Sequence, residues 1–430
     1  MRIVLVSTYD MGRQPFGLAS PAAWLRRAGH NVVCADLAVS RLPVEELQTA
    51  DLVAFHLPMH TATRLTAPLI SRVQALNPSA RLCAYGLYAP MNAEYLRGLG
   101  VETILGGEFE ADLVRLAGGR ALGDPVLEKL SFVPPDRTGL PELTRYAKLR
   151  VIDGERTVGY TEASRGCKHL CRHCPVVPVY QGAFRVVQPQ VVLADIRQQV
   201  AAGASHITFG DPDFWNGPAH AMRIVEAMHV EFPSVTFDAT IKIEHLRKHA
   251  GLLPPLRDAG CLFVTSAVES IDDEVLRKLD KGHTRANFVA VADEFRRVGL
   301  TLAPTFIAFL PWTTRASYGE FLRTIRELDL VANVSPVQLA LRLLIPAGSR
   351  MLELAEISAM VTGFDKQALT HHWRYPDDGL NAFASRIFQL VGKGKARTET
   401  FNAVWKETFQ EELDLVDRAA IPYLDEPWYC

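Results

Sequence analysis

Short apolar runs alternate with amphipathic ones over the first 120 residues. The runs "RIVLVS", "NVVCADL", "DLVAFHL", "RLCAYG" and "ETILGG" read as strands. Between them "GLASPAAWLRRAG", "TAPLISRVQAL", "AEYLRGLG" and "EADLVRLAGG" read as helices. Strands buried on both faces and separated by helices predict a doubly wound parallel sheet, an α/β domain over 1–123. A ligand of such a sheet sits beyond the carboxyl ends of its strands, here near "STYDMG", "FHLPMH", "GLYAPMN" and "GGEFE".

Residues 124–143 carry four prolines and little periodicity, so 124–158 reads as a linker. A second alternating series then runs over 159–350. Its strands are "GYTEAS", "HITFGD", "VTFDATI", "CLFVTSAV", "TLAPTFIAF" and "PVQLALRLL", with helices such as "PQVVLADIRQQVAAG" between them. Six strand–helix units are too few to close an eight-stranded barrel. They predict a partial (β/α)6 barrel whose chemistry lies at the carboxyl ends of its strands. Residues 351–430 read as a mostly helical region ending on a cysteine tail. No internal repeat is visible.

Composition narrows the class. A chain of 430 residues, 48% hydrophobic, can bury two cores. Lys+Arg 46 against Asp+Glu 48 leaves no basic block for nucleic acid, and "GKGKAR" (392–397) reads as a solvated loop. The opening "MRIVLVSTYD" is too short in apolar residues for a signal peptide, and no run reaches membrane-spanning length. Seven cysteines, three of them in one loop, do not form a secreted disulfide framework. The expectation is a cytoplasmic globular protein with neither a nucleic-acid nor a membrane partner.

The candidate chemistry begins at "RGCKHLCRHCP" (165–175), where Cys167, Cys171 and Cys174 follow the first barrel strand. A four-cysteine zinc site needs a second pair, and Cys34, Cys83 and Cys261 fall singly in apolar strands, where a thiol serves as a small core residue. His169 and His173 keep a three-cysteine, one-histidine zinc site, and with it a non-catalytic binding module, open as readings.

The C-x3-C-x2-C pattern on the first strand of an incomplete barrel resembles the radical S-adenosylmethionine (SAM) superfamily. The resemblance covers roughly 159–350. It implies that the three thiolates hold a [4Fe–4S] cluster whose fourth iron is completed by the amino and carboxylate groups of SAM. An electron from the cluster then cleaves a sulfonium C–S bond, usually giving a 5′-deoxyadenosyl radical. His173 stands where the family usually has an aromatic residue. "FGDPDFWNG" occupies the place of the family's loop for the SAM amino group, implicating Gly210, Asp211 and Asp213, although it departs from the usual glycine–glycine–glutamate. "SAVESIDDEVLRKLDKGHT" matches a further segment, with Glu269 for the ribose hydroxyls and Ser270 beside it. Lys242 and Arg342 sit where a cation meets the SAM carboxylate, or else form surface ion pairs.

A doubly wound domain before such a barrel resembles the cobalamin-binding class of the superfamily. "LCAYGLYAPMN" and "VETILGGEFEADLV" echo its glycine segments, implicating Gly86, Gly106, Gly107 and Glu108. The class's D-x-H-x-x-G is absent; Asp10 and Gly12 are present, without a histidine to ligate cobalt. Two readings stay open: cobalamin without a protein ligand, or a domain that keeps only a structural role.

The terminal "EPWYC" resembles the tail of a narrower radical SAM family that ends in Cys, then Cys or selenocysteine, then Ala-Glu-Pro. It carries the expectation that the natural chain continues past Cys430 with selenocysteine; a frayed natural terminus is the other reading. A thiol–selenol pair is a soft ligand and nucleophile. The expected activity is reductive cleavage of SAM to modify a small molecule by methyl or other carbon-group transfer, with flavodoxin or ferredoxin as electron donor. The tail keeps a second outcome open, transfer of 3-amino-3-carboxypropyl to a soft acceptor such as a trivalent arsenical. Trp215 and Trp312, near strand ends, either wall the pocket or pack in the core.

Overall fold

The structure, a computed structural model, describes residues 1–120, 130–391, 396–413, 415 and 418–426. Cys430 and most of the "GKGKAR" run lie outside them.

The five apolar runs of the first domain are strands: β1 Arg2–Ser7, β2 Asn31–Asp36, β3 Leu52–His56, β4 Arg81–Tyr85 and β5 Thr103–Leu105. They form one parallel sheet in the order β2-β1-β3-β4-β5. Ile3 and Leu5 pack on one side of β1, Val4 and Val6 on the other, so helices must cover both faces. Each such buried side chain contributes roughly 1.5–3 kcal/mol relative to exposure.

The second sheet opens with an antiparallel hairpin, β6 Lys148–Val151 and β7 Gly154–Thr161. A short ribbon follows, β8 Ser164–Gly166 with β9 Phe184–Val186, framing the cysteine loop. Then come β10 His206–Phe209, β11 Thr236–Thr240, β12 Cys261–Glu269 and β13 Thr301–Phe306. Strands β7, β10, β11, β12 and β13 are all parallel neighbours and make the curled half-barrel. The family-like segment after β12 carries its own start signals. Asp272 caps helix Asp273–Lys278, and Thr284 makes a capping box on helix Arg285–Val298.

One expectation is corrected. The sixth strand, "PVQLALRLL", is a 3-10 turn, Pro336–Leu339, followed by a single bridge between Phe309 and Arg342. Pro336 has no N–H to give a ladder, and the Gln338 side chain accepts the Phe306 N–H at 2.8 Å in place of a strand carbonyl. The C-terminal region is mostly helical, as expected, with strands added to it. A hairpin, β14 Val361–Asp365 and β15 Thr370–Trp373, precedes helices Asp378–Leu390 and Arg397–Phe409, and β16 Tyr423–Leu424 pairs with β6. The chain thus returns to the edge of its own barrel sheet. No helix among the described residues is long and apolar enough to cross a membrane.

Candidate functional site

The cysteine loop is held by residues of the segments that follow β10 and β12. Asp211, after β10, is buried and accepts from the Ala163 N–H at 3.0 Å and from the Ser164 hydroxyl. Burial pushes its carboxyl up to about 7, against the pull of those two bonds. Both its oxygens therefore fasten the segment that enters the loop. Asn216 accepts from the Lys168 N–H at 3.2 Å, and its own carbonyl accepts from Lys168 Nζ. Arg172 donates its N–H to Leu279 O at 3.0 Å. Beside Gly210 a β-carbon would overlap the Tyr160 ring, so glycine is required for close approach.

Cys167 and Cys171 are buried, Cys174 half-buried, and none is in a disulfide. Burial pushes the Cys174 thiol up to about 12. Thiolates here need a cationic partner, which is what an iron–sulfur cluster supplies, so the donor set fits one. Neither histidine of the loop turns to the thiols as a fourth zinc ligand. His169 Nε2 lies 3.3 Å from His245 Nε2, and His173 Nε2 lies 3.0 Å from Glu269 Oε1.

Beyond the loop stands a charged wall. Lys242 Nζ, from the end of β11, reaches within 3.7 Å of Cys171 Sγ and is buried. Glu269 ends β12 at a register shift with φ 69°, a conformation that a glutamate adopts only when its surroundings impose it. Burial alone would raise its carboxyl, but Lys281, 3.4 Å away, and His173 outweigh burial and hold it down at about 2. Glu269 and Ser270 also open one side of a cavity of about 340 Å³, lined further by Arg285, Ile307, Leu310 and Trp312. The two tryptophans separate here. Trp312 walls the cavity with Lys278 Nζ 4.7 Å over its ring, whereas Trp215 is fully buried in the core.

Other expected residues lie apart. Arg342 gives Nη2 to Trp373 O at 2.6 Å and stacks on the Trp373 and Tyr375 rings, which ties the half-barrel to the hairpin. Asp213 is buried with Oδ2 2.7 Å from His245 Nδ1. In the first domain, Gly12, Gly86 and Gly107 turn the chain with positive φ. At Gly106 a β-carbon would lie 2.3 Å from Pro90 Cγ, so that hollow is already filled by the protein. Glu108 is committed as well. Arg165, two residues before Cys167, pairs with it at 3.0 Å and with Glu110 at 2.6 Å. Asp10 is buried, and burial, with Asp36 and Glu162 nearby, pushes it up to about 7 despite Arg13.

Three residues carry parts of this site that the chain order did not single out. Arg165 is a charge inside an apolar strand end, a sequence signal in itself. Lys281 lies in the matched "DKGHT". His245 is a helix residue visible only in three dimensions. The first domain meets the loop directly: Leu87, after β4, packs among Cys167, Cys174, Val176, Val179 and Tyr180.

Residues 161–325 match the model of the Radical SAM superfamily. The hopanoid C-3 methylase of Methylococcus capsulatus is 25% identical over 343 residues, 75% of this chain and 66% of that protein. The ribosomal protein uS12 methylthiotransferase RimO of Parabacteroides distasonis is 25% identical over 42% of this chain and 43% of its own length. The chain thus spans just under two thirds of the first relative and less than half of the second. Among solved structures, the cobalamin-dependent radical enzyme OxsB, bound to aqua-cobalamin and SAM, superposes with a TM-score of 0.69 at 14% identity, covering 90% of this chain and 66% of that one. The radical SAM methyltransferase TsrM of Kitasatospora setae, with tryptophan and a SAM analogue, gives 0.66 at 16%, covering 92% and 89%. These likenesses fix the fold: a doubly wound domain joined to a half-barrel.

Proposed function

We propose that the chain is a radical SAM enzyme, a transferase that moves a methyl or other carbon group from SAM to a small molecule, with cobalamin held by its first domain. One observation carries the reading. Three free thiols share a loop from which both local histidines are turned away, next to a buried lysine and a 340 Å³ cavity at the ends of β12 and β13.

In this reading Cys167, Cys171 and Cys174 hold the cluster and leave one iron to SAM. With SAM bound, the cluster supplies one-electron cleavage of a sulfonium C–S bond. The rest falls to the protein's own residues. Lys242 places a positive charge beside Cys171, suited to a carboxylate. Glu269 is kept ionised by Lys281 and His173 and offers an acceptor to vicinal hydroxyls. Trp312 closes the apolar side of the cavity against water. Asp211 fixes the loop and does not touch the ligand.

Cobalamin is supported by the first domain's position. The "GLYAPMN" segment after β4 lies against the cysteine loop through Leu87. Two elements expected to approach the cofactor are otherwise engaged, Gly106 by Pro90 and Glu108 by Arg165. The loop after β1 is covered too, by Ala147 and Glu426 at Gly12, so the corrin would meet the segment after β4, beside the cysteine loop. A methyl group is favoured over an aminocarboxypropyl group because the hopanoid relative is named a methylase. The reaction needs a one-electron reductant; a flavodoxin or ferredoxin suits that role.

Anaerobic reconstitution with iron, sulfide and cobalamin, followed by reduction with dithionite, tests the proposal. S-adenosylhomocysteine, with cobalamin retained through gel filtration, is the expected result. Iron-free protein that releases no SAM fragment overturns the enzymatic reading. An active enzyme that retains no cobalamin restricts the first domain to a structural role.

A further inference from the structure

One cluster of metal-ligating side chains remains outside the roles assigned above. Among the described residues, His169, Asp213 and His245 offer ligand atoms that all lie within 4.8 Å of one another. They come from three places: the cysteine loop, the end of β10, and the first turn of helix Ile243–Lys248. His245 Nδ1 lies 2.7 Å from Asp213 Oδ2, whose side chain is fully buried. Neither of those two buried atoms has a hydrogen-bond partner. His169 Nδ1 lies 3.5 Å from Glu244 Oε2. The two Nε2 atoms face each other at 3.3 Å. Buried polar atoms left without a partner point to a group that completes them.

The spacing also has a geometric meaning. Two imidazole nitrogens bound about 2.0–2.1 Å from one tetrahedral ion are about 3.3 Å apart. Metal-bound histidines characteristically have a carboxylate beside their other ring nitrogen, and here both do. We propose that His169 Nε2 and His245 Nε2 hold a divalent first-row transition ion, zinc in the simplest case, with Glu244 and Asp213 as the carboxylates that orient the two rings. Two protein ligands leave open positions, so the ion takes water or an oxygen or nitrogen donor of a small molecule there. The borderline softness of imidazole suits zinc, iron(II), nickel or copper rather than magnesium or calcium. This site is distinct from the thiol site: it uses none of the three cysteines and does not depend on the radical reading.

The test uses cluster-loaded protein prepared anaerobically. It is equilibrated with buffered zinc and desalted, and its zinc, iron and sulfide are measured together. The expected result is one zinc per chain beyond the cluster iron, lost in His245→Ala and in His169→Gln while iron and sulfide stay at wild-type levels. Glu244→Gln, which removes the outer carboxylate's charge and its 3.8 Å pair with Lys242, should weaken zinc binding by about 10–100-fold. Zinc absent from wild type, or retained by both histidine variants, overturns the site and leaves a proton shared between the rings. Zinc that disappears only in Cys171→Ala belongs to the cysteine loop and also overturns it. Absence of iron would count against the cluster and leave the zinc result standing.

Discussion

Arg165 on β8 and Glu110 on the first domain meet in a bidentate pair, Nη2 to Oε1 at 2.6 Å and Nη1 to Oε2 at 2.9 Å, both buried. The same guanidinium holds Glu108 at 3.0 Å and Glu162 at 2.8 Å, and Ser20 donates to Glu110 at 2.6 Å. One cation therefore ties the first domain to the strand that enters the cysteine loop. At Glu110 the Arg165 charge and hydrogen bonds outweigh burial and lower the carboxyl's pKa. At Glu108 burial and the Glu110 charge win, and that carboxyl rises to about 7.

Arg165→Met would leave three carboxylates without their cation. Breaking a buried pair costs about 3–5 kcal/mol, so the denaturant midpoint should fall by a corresponding amount. Adding Glu110→Gln to Arg165→Met should recover part of the loss, since one buried charge disappears with its partner. A single variant as stable as wild type would show that the joint contributes nothing.

Asp10 sets a pH dependence. Its native carboxyl is raised to about 7 from 3.8, so the native state holds a proton that the unfolded chain has lost. Stability is therefore undiminished below about pH 4, declines as pH rises toward 7, and stays reduced above that. Asp10→Asn should remove this slope and raise the unfolding free energy at pH 8 by an amount on the order of 1–4 kcal/mol, with little effect at pH 4. Urea titrations at the two pH values measure it; equal shifts at both would rule the carboxyl out.

Lys242 and Arg342 were equivalent candidates for the SAM carboxylate, and the structure sets them apart. Lys242→Met should weaken SAM binding about tenfold, the value of one charge-assisted hydrogen bond. Arg342→Met should leave SAM affinity unchanged and lower stability by about 1–2 kcal/mol, through loss of its stacking on Trp373 and its bond to the Trp373 carbonyl. Equilibrium dialysis with labelled SAM and thermal melts separate the two. Reversed effects would return Arg342 to the ligand.

Cys171→Ala should abolish the cluster's visible absorbance and all SAM cleavage. Iron assay on anaerobically reconstituted protein decides it, because wild-type iron content in the variant is incompatible with Cys171 as a ligand.

Much of the architecture was legible in order along the chain. Strands β1 to β5 and β10 to β13 carry their own burial pattern, since a strand apolar on both faces can only lie inside a covered sheet. Two elements misled. The "PVQLALRLL" run has strand composition, but the Gln338 amide takes the place of a backbone partner. The hairpin β14–β15 is largely polar, "VTGFD" with "THHW", and is held by contacts to distant segments, among them Ala368 O on His60 Nε2 at 2.6 Å and Thr370 on Ile345.

By itself the sequence determined the parallel sheets, the three-thiol loop and the loops at strand ends, because periodicity and short-range spacing need no partner from elsewhere. Only the tertiary structure decided which charges meet. It brought Glu108 to Arg165, Arg342 to Trp373, Lys242 to Cys171 and His245 to His169, pairs 31 to 76 residues apart in the chain. A buried charge takes whichever opposite charge or dipole folding leaves within reach, and no local pattern encodes that choice.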